Sequence, residues 1–339
     1  MQKPFDSQKY LKLQTKAIKD RMEKFPRGRF YFEIGGKFLH DDHASRVLPG
    51  FDPKVKVEIV KSVSDNLEVI FCINSEETNQ ERILKDGKGY KETNLEKLEE
   101  LVEEGFPKPK VVLNLYSSED QTEKLEEKLR NDGYQVFKRY RIKNYPKDQD
   151  NIVSKDGFGK DDYIESASDF VLVVAAEPNS GKMSTALGQV YLDKQKGINS
   201  GYAKYETFPV WNLPLEHPVN LAYEAATADI EDYNLYDPFH EKAYGKKAVN
   251  YNRDVDAFPI VKGLIDKIID KDNFMSTYKS PTDMGISNVG FCINNNEEIR
   301  KSATEEIRRR KGIYQKLVDN GKGEKSWVER CEELLESLE

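Results

Sequence analysis

The chain has 339 residues, 37% hydrophobic and 33% charged, with 53 Lys plus Arg against 60 Asp plus Glu and a net charge of −7. That length suits about two domains at roughly 150 residues each and is enough to bury a real core. The acidic balance argues against a protein that coats nucleic acid through its overall charge, although a local basic site stays open. The longest purely apolar run, residues 170–176, falls far short of the roughly 20 residues that cross a bilayer. The opening MQKPFDSQKY has no apolar core of a secretory signal. Cys72, Cys292 and Cys331 are few, odd in number and far apart. That disfavours a disulfide framework or a Cys-based zinc site and suits a reducing cytoplasm. A cytoplasmic chain without nucleic-acid or membrane partners is expected.

In chain order, apolar residues at Tyr10, Leu11, Leu13, Ala17, Ile18 and Met22 predict a helix over 7–24, capped by Asp6 or Ser7 and stopped by Pro26 and Gly28. Residues 29–34 read as a strand ending in Gly35-Gly36, and 37–54 as an ordered polar loop. Strand-like runs follow at 55–60 and 67–73, then a helix over 94–104, a strand at 110–116, a helix over 119–131 and a strand at 134–140. This alternation predicts an α/β fold: largely parallel sheets with flanking helices and right-handed crossovers. The polar, turn-rich stretch 141–165 marks the best boundary. The expected units are a Rossmann-like domain over 1–160, a P-loop-like α/β domain over 161–296 and a charged helical tail over 297–339. Within the second unit come an apolar strand at 170–176, a helix over 181–197, a short strand at 200–204, long polar loops over 206–258 and a helix over 258–269. Loops that long are usually functional or hide short helices. The tail, broken near 321–323 and ending at Glu339, reads as a solvated face, with a partner surface as the sharper alternative.

The sharpest chemical signal is an apolar strand, a short loop through Asn179, Ser180 and Gly181, and a helix that starts at Lys182. Backbone N–H groups at such a helix start point at an anion, the helix dipole favours it, and the Lys adds a full charge. The nucleotide-hydrolase pattern G-x-x-x-x-G-K-[ST] is met only partially. Ala176 stands at the first glycine and Met183 follows the Lys, so Ser184 or Thr185 would have to supply a metal-ligating hydroxyl. An ordinary strand-to-helix turn capped by Ser180 is the plain alternative.

Lys204, at a strand end, faces either phosphate or solvent. Arg253 and Asp254, in the phrase Asn252-Arg-Asp254, either clamp a phosphate or carboxylate or form an internal pair. Asp229 and Asp283 are further acids that could orient a nucleophile or a metal, and the phrase Lys279-Ser-Pro-Thr282-Asp283 reads equally as a ligand loop or a capped turn. His40-Asp-Asp-His43 has the spacing of a helical metal pair but lacks an HExxH pattern or a Cys partner. No G-x-S-x-G elbow supports a serine nucleophile, and no G-x-G-x-x-G follows a strand to support a dinucleotide site.

Several phrases carry a resemblance: Phe5-Asp-Ser-Gln-Lys-Tyr10, Gly35-Gly-Lys, His43-Ala-Ser-Arg-Val-Leu-Pro-Gly-Phe51, Ser180-Gly-Lys-Met183, the run Gly201–Pro214, the run His217–Asp229, Asp237-Pro-Phe-His240, Val249-Asn-Tyr-Asn-Arg-Asp254 and Tyr278-Lys-Ser-Pro-Thr-Asp-Met-Gly285. In them the chain resembles the bacterial family called domain of unknown function 1846, also uncharacterised protein family 0371, over nearly its whole length. The resemblance implies a multidomain α/β protein of the bacterial cytoplasm and supplies no reaction. It implies a glycine-richer loop where this chain has Glu177-Pro-Asn179, and His43 but not His40 in the family pattern. It also implies a further C-terminal α/β domain. A chain of 339 residues is then expected to be a shortened form that binds without turning over if the missing domain closes the site.

The leading expectation is an ATP-dependent phosphotransferase or ligase for a small phosphorylated ligand. Lys182 and the Asn179–Ser180–Gly181 loop would hold phosphate, and Ser184 or Thr185 would hold magnesium if the ion takes part. Lys204 and Arg253 would neutralise charge, and Asp229, Asp254 or Asp283 would orient the nucleophile. The rival expectation is a non-catalytic binding or assembly protein, its loop holding a structural anion and its tail building a homo-oligomer.

Overall fold

Runs of β-branched and aromatic residues form the strands β1 (Phe30–Ile34), β2 (Leu67–Asn74), β3 (Lys110–Tyr116), β4 (Val136–Tyr140), β5 (Phe170–Val174) and β6 (Gly201–Tyr205), followed by the short β7 (Asn234–Tyr236), β8 (Val249–Tyr251) and β9 (Gly285–Ile286). They belong to a computed structural model that describes residues 3–35, 37–84 and 87–338. Gly36 and Glu339, expected at a strand end and a helix end, lie outside the described residues. Seven of the strands form one sheet in the order β4-β3-β2-β5-β1-β6-β9, and every neighbouring pair is parallel. β7 and β8 make a separate antiparallel ribbon.

The central strands β1 and β5 are buried along their whole length, as a sheet covered on both faces requires. Their register stacks Phe30 beside Phe170 on one side and Gly201 on the other. Gly201 has no side chain because the Phe25 ring occupies that place: a Cβ there would lie 2.1 Å from it. The polar stretch 141–165 does not separate one sheet from another. β5 inserts between β2 and β1, so strands expected in separate units over 1–160 and 161–296 share a single sheet. The chain leaves β2 toward β3 and leaves β5 in the opposite direction, toward β6. Such divergence opens a crevice at the carboxyl ends of the strands, where open α/β sheets bind ligands.

Some local readings change. The strand-like run at 55–60 is the helix Val55–Val63. Its alternation of Val and Ile with charged residues misleads because Lys56 is buried together with the apolar residues, against the helix Ser7–Met22 and the buried Asp41, while Glu58, Lys61 and Ser62 form the exposed face. The polar segment before it contains the short helix Asp42–Val47, capped by Asp41 through the Ala44 N–H at 2.9 Å. The loops expected over 206–258 hide the helices Pro218–Thr227 and Pro238–Tyr244, and the helix expected at 258 already begins in Asn252–Ile268.

The charged C-terminal segment is not simply solvated. The helix Asn296–Asp319 buries Ile299, Ala303, Glu306, Ile307 and Tyr314 and packs on Pro218–Thr227 and Asp42–Val47. Tyr314 donates to the Ala225 carbonyl at 3.1 Å. The last helix, Lys325–Glu336, adds an ion pair between Arg330 and Glu224. No helix among the described residues is long and apolar enough to cross a membrane.

Candidate functional site

The loop after β5 is pinned from the ends of its neighbours. Asn114 of β3 donates from Nδ2 to the Ser180 carbonyl at 2.8 Å, and Asn74 of β2 donates to the Asn179 carbonyl at 3.4 Å. Asn179 and Gly181 both have positive φ, +58° and +83°. At Gly181 a Cβ would also come within 2.8 Å of the Asn114 amide, so only glycine fits without strain. The Ser180 hydroxyl turns back to the Glu177 carbonyl at 2.7 Å. It does not cap the helix Lys182–Gln195, whose first turn has no side-chain cap. Lys182 stands at that start, half-buried, with no ion pair among the described residues. The Ser184 hydroxyl accepts from Arg139 Nη2 at 3.1 Å. Thr185 is fully buried, its hydroxyl 2.9 Å from the Gly181 carbonyl and 3.1 Å from Asn114 Oδ1, so it braces the loop from beneath.

The end of β6 brings a second charged group. The Lys204 ammonium contacts Asp254 at 2.5 Å, the Tyr251 hydroxyl at 2.9 Å and Glu206 at 3.2 Å. Burial alone would lower its pKa, but Asp254, Tyr251 and Glu206 outweigh that and hold it well above the ordinary value. Glu206 is pushed up to about 7 by burial, against the pull of Lys204 and with the help of Asp254. Lys204 is already balanced by Asp254, so a second carboxylate beside it keeps its proton until near-neutral pH. Arg253 is not clamped to Asp254. Its guanidinium grips Asp232 with both ends, at 2.5 and 2.7 Å. Glu33, from β1, accepts from the Tyr202 hydroxyl at 2.6 Å.

A third contribution comes from the C-terminal helix. Glu306, 1% exposed, receives His43 at 3.2 Å, Arg46 at 2.8 Å, Arg309 at 2.6 Å and Arg310 at 3.1 Å. Burial would raise its carboxyl, but hydrogen bonds from Arg309, His43 and Arg46 hold it far below the usual carboxylate range. Burial pulls the His43 pKa below its ordinary value, against the Glu306 carboxylate, and its Nε2 has no partner among the described residues. His40 sits apart, exposed and paired with Asp42 at 3.0 Å. Among the described residues no three His, Cys, Asp or Glu side chains converge as a metal cluster would.

These groups wall one cavity of about 520 Å³ at the carboxyl ends of β1, β5 and β6. Asn179, Ser180, Gly181, Lys182 and Ser184 line it together with Lys204, Arg253 and Asp254. Glu206 and Arg310, which the site expectations had left out, line it as well, as does His43, raised there only as half of a metal pair. Thr185, Asp229 and Asp283 are not in its wall. Asp229 lies in the 3-10 turn Ala228–Ile230. Asp283 closes a capping box with Ser280, accepting from the Lys279 and Ser280 N–H groups at 2.8 and 3.0 Å and from the Tyr244 hydroxyl at 2.9 Å. Of the two readings of Lys279-Ser-Pro-Thr282-Asp283, the geometry is that of the capped turn. A signal for Glu306 existed in the sequence: an acid followed by Arg three and four places on, a helical clamp around one carboxylate.

The fold and cleft define a parallel α/β protein with a charged, partly enclosed crevice at its strand ends. The chain belongs to the family described as Domain of unknown function DUF1846, N-terminal, whose model matches residues 3–339. It is similar to the UPF0371 protein of Streptococcus sanguinis (strain SK36), 44% identical over 316 residues, which is 93% of this chain and 63% of that protein. It is also similar to the UPF0371 protein of Streptococcus thermophilus (strain ATCC BAA-491 / LMD-9), 42% identical over 337 residues, covering 98% of this chain and 67% of that protein. The chain thus spans about 63% of the length of the first of these relatives.

Proposed function

We propose that the protein is a phosphotransferase or ligase that binds a phosphate-bearing small molecule, a nucleotide or a smaller phosphorylated metabolite, in the charged crevice. The observation that carries this reading is the shared cavity wall. An uncapped helix start with an unpaired Lys182 stands in the same 520 Å³ space as the Lys204–Glu206–Asp254 cluster. The helix start offers backbone N–H groups and a positive dipole end to an anion, and Lys182 adds a mobile charge. Lys204 is held in place by its neighbours, its charge balanced by Asp254, and positions the Glu206 carboxyl. Glu206, with a pKa near 7, suits the taking or giving of a proton at neutral pH. Phosphoryl transfer asks a protein mostly for positioning and charge neutralisation, and these groups offer both. Where magnesium accompanies the phosphate, Ser184 rather than Thr185 has its hydroxyl in the cavity wall. A cytoplasmic setting belongs to this reading and agrees with three free, buried cysteines.

The test is calorimetric titration of ATP, GTP, CTP and ADP, with and without magnesium, against the wild type and Lys182→Ala. The expected result is binding that weakens by about tenfold or more in the variant, a loss of at least about 1.4 kcal/mol, with the melting temperature unchanged. Equal affinity in the two proteins would overturn the assignment.

A further inference from the structure

A second cavity, of about 580 Å³, opens at the far edge of the sheet beside β9 and shares no lining residue with the charged crevice. Its size is within the range of small-molecule sites. Its walls are rings. Trp211 is fixed by a hydrogen bond from Nε1 to the Ser287 carbonyl at 3.1 Å. The Phe291 ring stands edge-on to it at 6.3 Å, and His240 lies 6.3 Å away on another side. His240 in turn lies 4.8 Å from Tyr244. Phe291 and Tyr244 are 48% and 42% exposed, so two large rings stand in water around one hollow. Scattered exposed apolar residues are ordinary, whereas rings converging on one cavity mark a binding surface.

The charges of this cavity are uneven. Arg21 lies 5.3 and 5.4 Å from the Phe274 and Tyr278 rings and donates to the Tyr278 hydroxyl and the Asp283 carbonyl. Lys279 lies 5.7 Å from the Tyr244 ring. Neither cation pairs with a carboxylate among the described residues. The one carboxylate in the wall, Asp283, is already held by two backbone N–H groups and the Tyr244 hydroxyl.

We propose that this cavity is a second ligand site, built for a planar aromatic anion whose ring packs among Trp211, His240 and Phe291 and whose anionic group meets Arg21 and Lys279. Rings packed edge-on or offset hold a planar guest. Cations that already lie over aromatic faces keep their hydrogen-bond donors for an anion. The site stands whether or not the charged crevice binds phosphate. The two are neighbours, however: a hollow of about 20 Å³ between them is walled by Glu206 on one side and Trp211, Gly285 and Ser287 on the other.

The experiment titrates the full chain with AMP and with 4-hydroxybenzoate, two sources of the same chemistry, and with inorganic phosphate and adenosine as probes that lack the ring or the charge. Calorimetry is paired with Trp211 fluorescence in a Trp327→Phe background. One or both ring-bearing anions should bind about tenfold or more tightly than either control and change the Trp211 emission. Lys279→Ala and Phe291→Ala, both at exposed positions, should each weaken that binding about fivefold or more, and Lys182→Ala should leave it unchanged. Absence of binding by both ring-bearing anions up to about 10 mM would overturn the proposal. So would binding that is lost in Lys182→Ala but kept in Lys279→Ala, because the ligand would then belong to the charged crevice.

Discussion

The two cavities are close in size, about 520 and 580 Å³, and opposite in how they treat charge. In the crevice at the strand ends the buried ionic groups are matched: Lys204 with Asp254 and Glu206, and Lys56 with Asp41, while the buried Glu306 behind the wall is held by the partly exposed Arg46, Arg309 and Arg310. Lys182 and Lys37 line it without an ion pair among the described residues. In the cleft at the sheet edge the cations rest on rings and the carboxylate is spent on capping a turn. The difference teaches where stability and binding separate. Buried pairs hold the crevice together, so breaking one costs fold. The ring cleft stands at the rim, where removing a side chain costs a ligand and little else.

The largest effect should come from Glu306→Ala. It leaves three guanidinium groups around an empty, buried position and frees the C-terminal helix from His43. Removing a buried carboxylate whose guanidinium partners are partly exposed should cost about 2–3 kcal/mol, read as a large fall in melting temperature. A loss under about 1 kcal/mol would mean that the helix is held by Ile299, Ala303 and Ile307 alone.

The next effect is pH-dependent. Glu206 has its carboxyl raised from 4.5 to about 7, so the folded state favours its protonated form. Its stabilising contribution is whole below about pH 4.5 and is lost as pH rises to about 7. Glu206→Gln should therefore flatten the stability-against-pH curve in that window, by roughly 2 kcal/mol once its partial exposure is allowed for. Urea unfolding at pH 4.5 and pH 8 reads this directly, and parallel curves for the two proteins would remove the raised carboxyl from the account.

A smaller effect tests the shared wall. Gly285 has negative φ, −81°, so alanine is tolerated by the backbone, but its Cβ would meet Glu206 Cγ at 3.0 Å. Gly285→Ala should cost about 1 kcal/mol and shift the Glu206 titration, seen by carboxyl-labelled NMR. An unmoved titration would show the two cavities to be independent. The smallest effect should be on the rim. Phe291→Ala is expected to change stability by no more than about 0.5 kcal/mol, and a larger fall would turn the ring cleft into a structural element.

The sheet was legible because its strands announce themselves locally. A run such as Phe-Val-Leu-Val-Val between polar turns can be little else than a strand buried on both faces, and the loop through Ser180 to Lys182 follows from it. The run at 55–60 was not legible, because a helix that buries Lys56 with its counter-ion among its Val and Ile residues reads locally as period-two alternation. Lys204 and Asp254 stood out as charged residues near turns, but their pairing joins positions far apart in the chain. Glu206 was not among the expected site residues. Its raised carboxyl depends on neighbours that only folding brings to it.

By itself, the sequence determined the class of fold, the family and the loop at Lys182, since each rests on short-range patterns of apolar spacing, glycine and helix start. The tertiary structure alone decided the rest. Inserting β5 between β2 and β1 placed strands of both expected units in one sheet. Docking the C-terminal helix carried Glu306 to His43 and Arg310 into the crevice wall. The placing of β9 at the sheet edge set six aromatic side chains around a second cavity. The physical reason is range: hydrophobic periodicity and capping act within a few residues, whereas ion pairing and ring packing act through space and depend on which distant segments the folded core brings together.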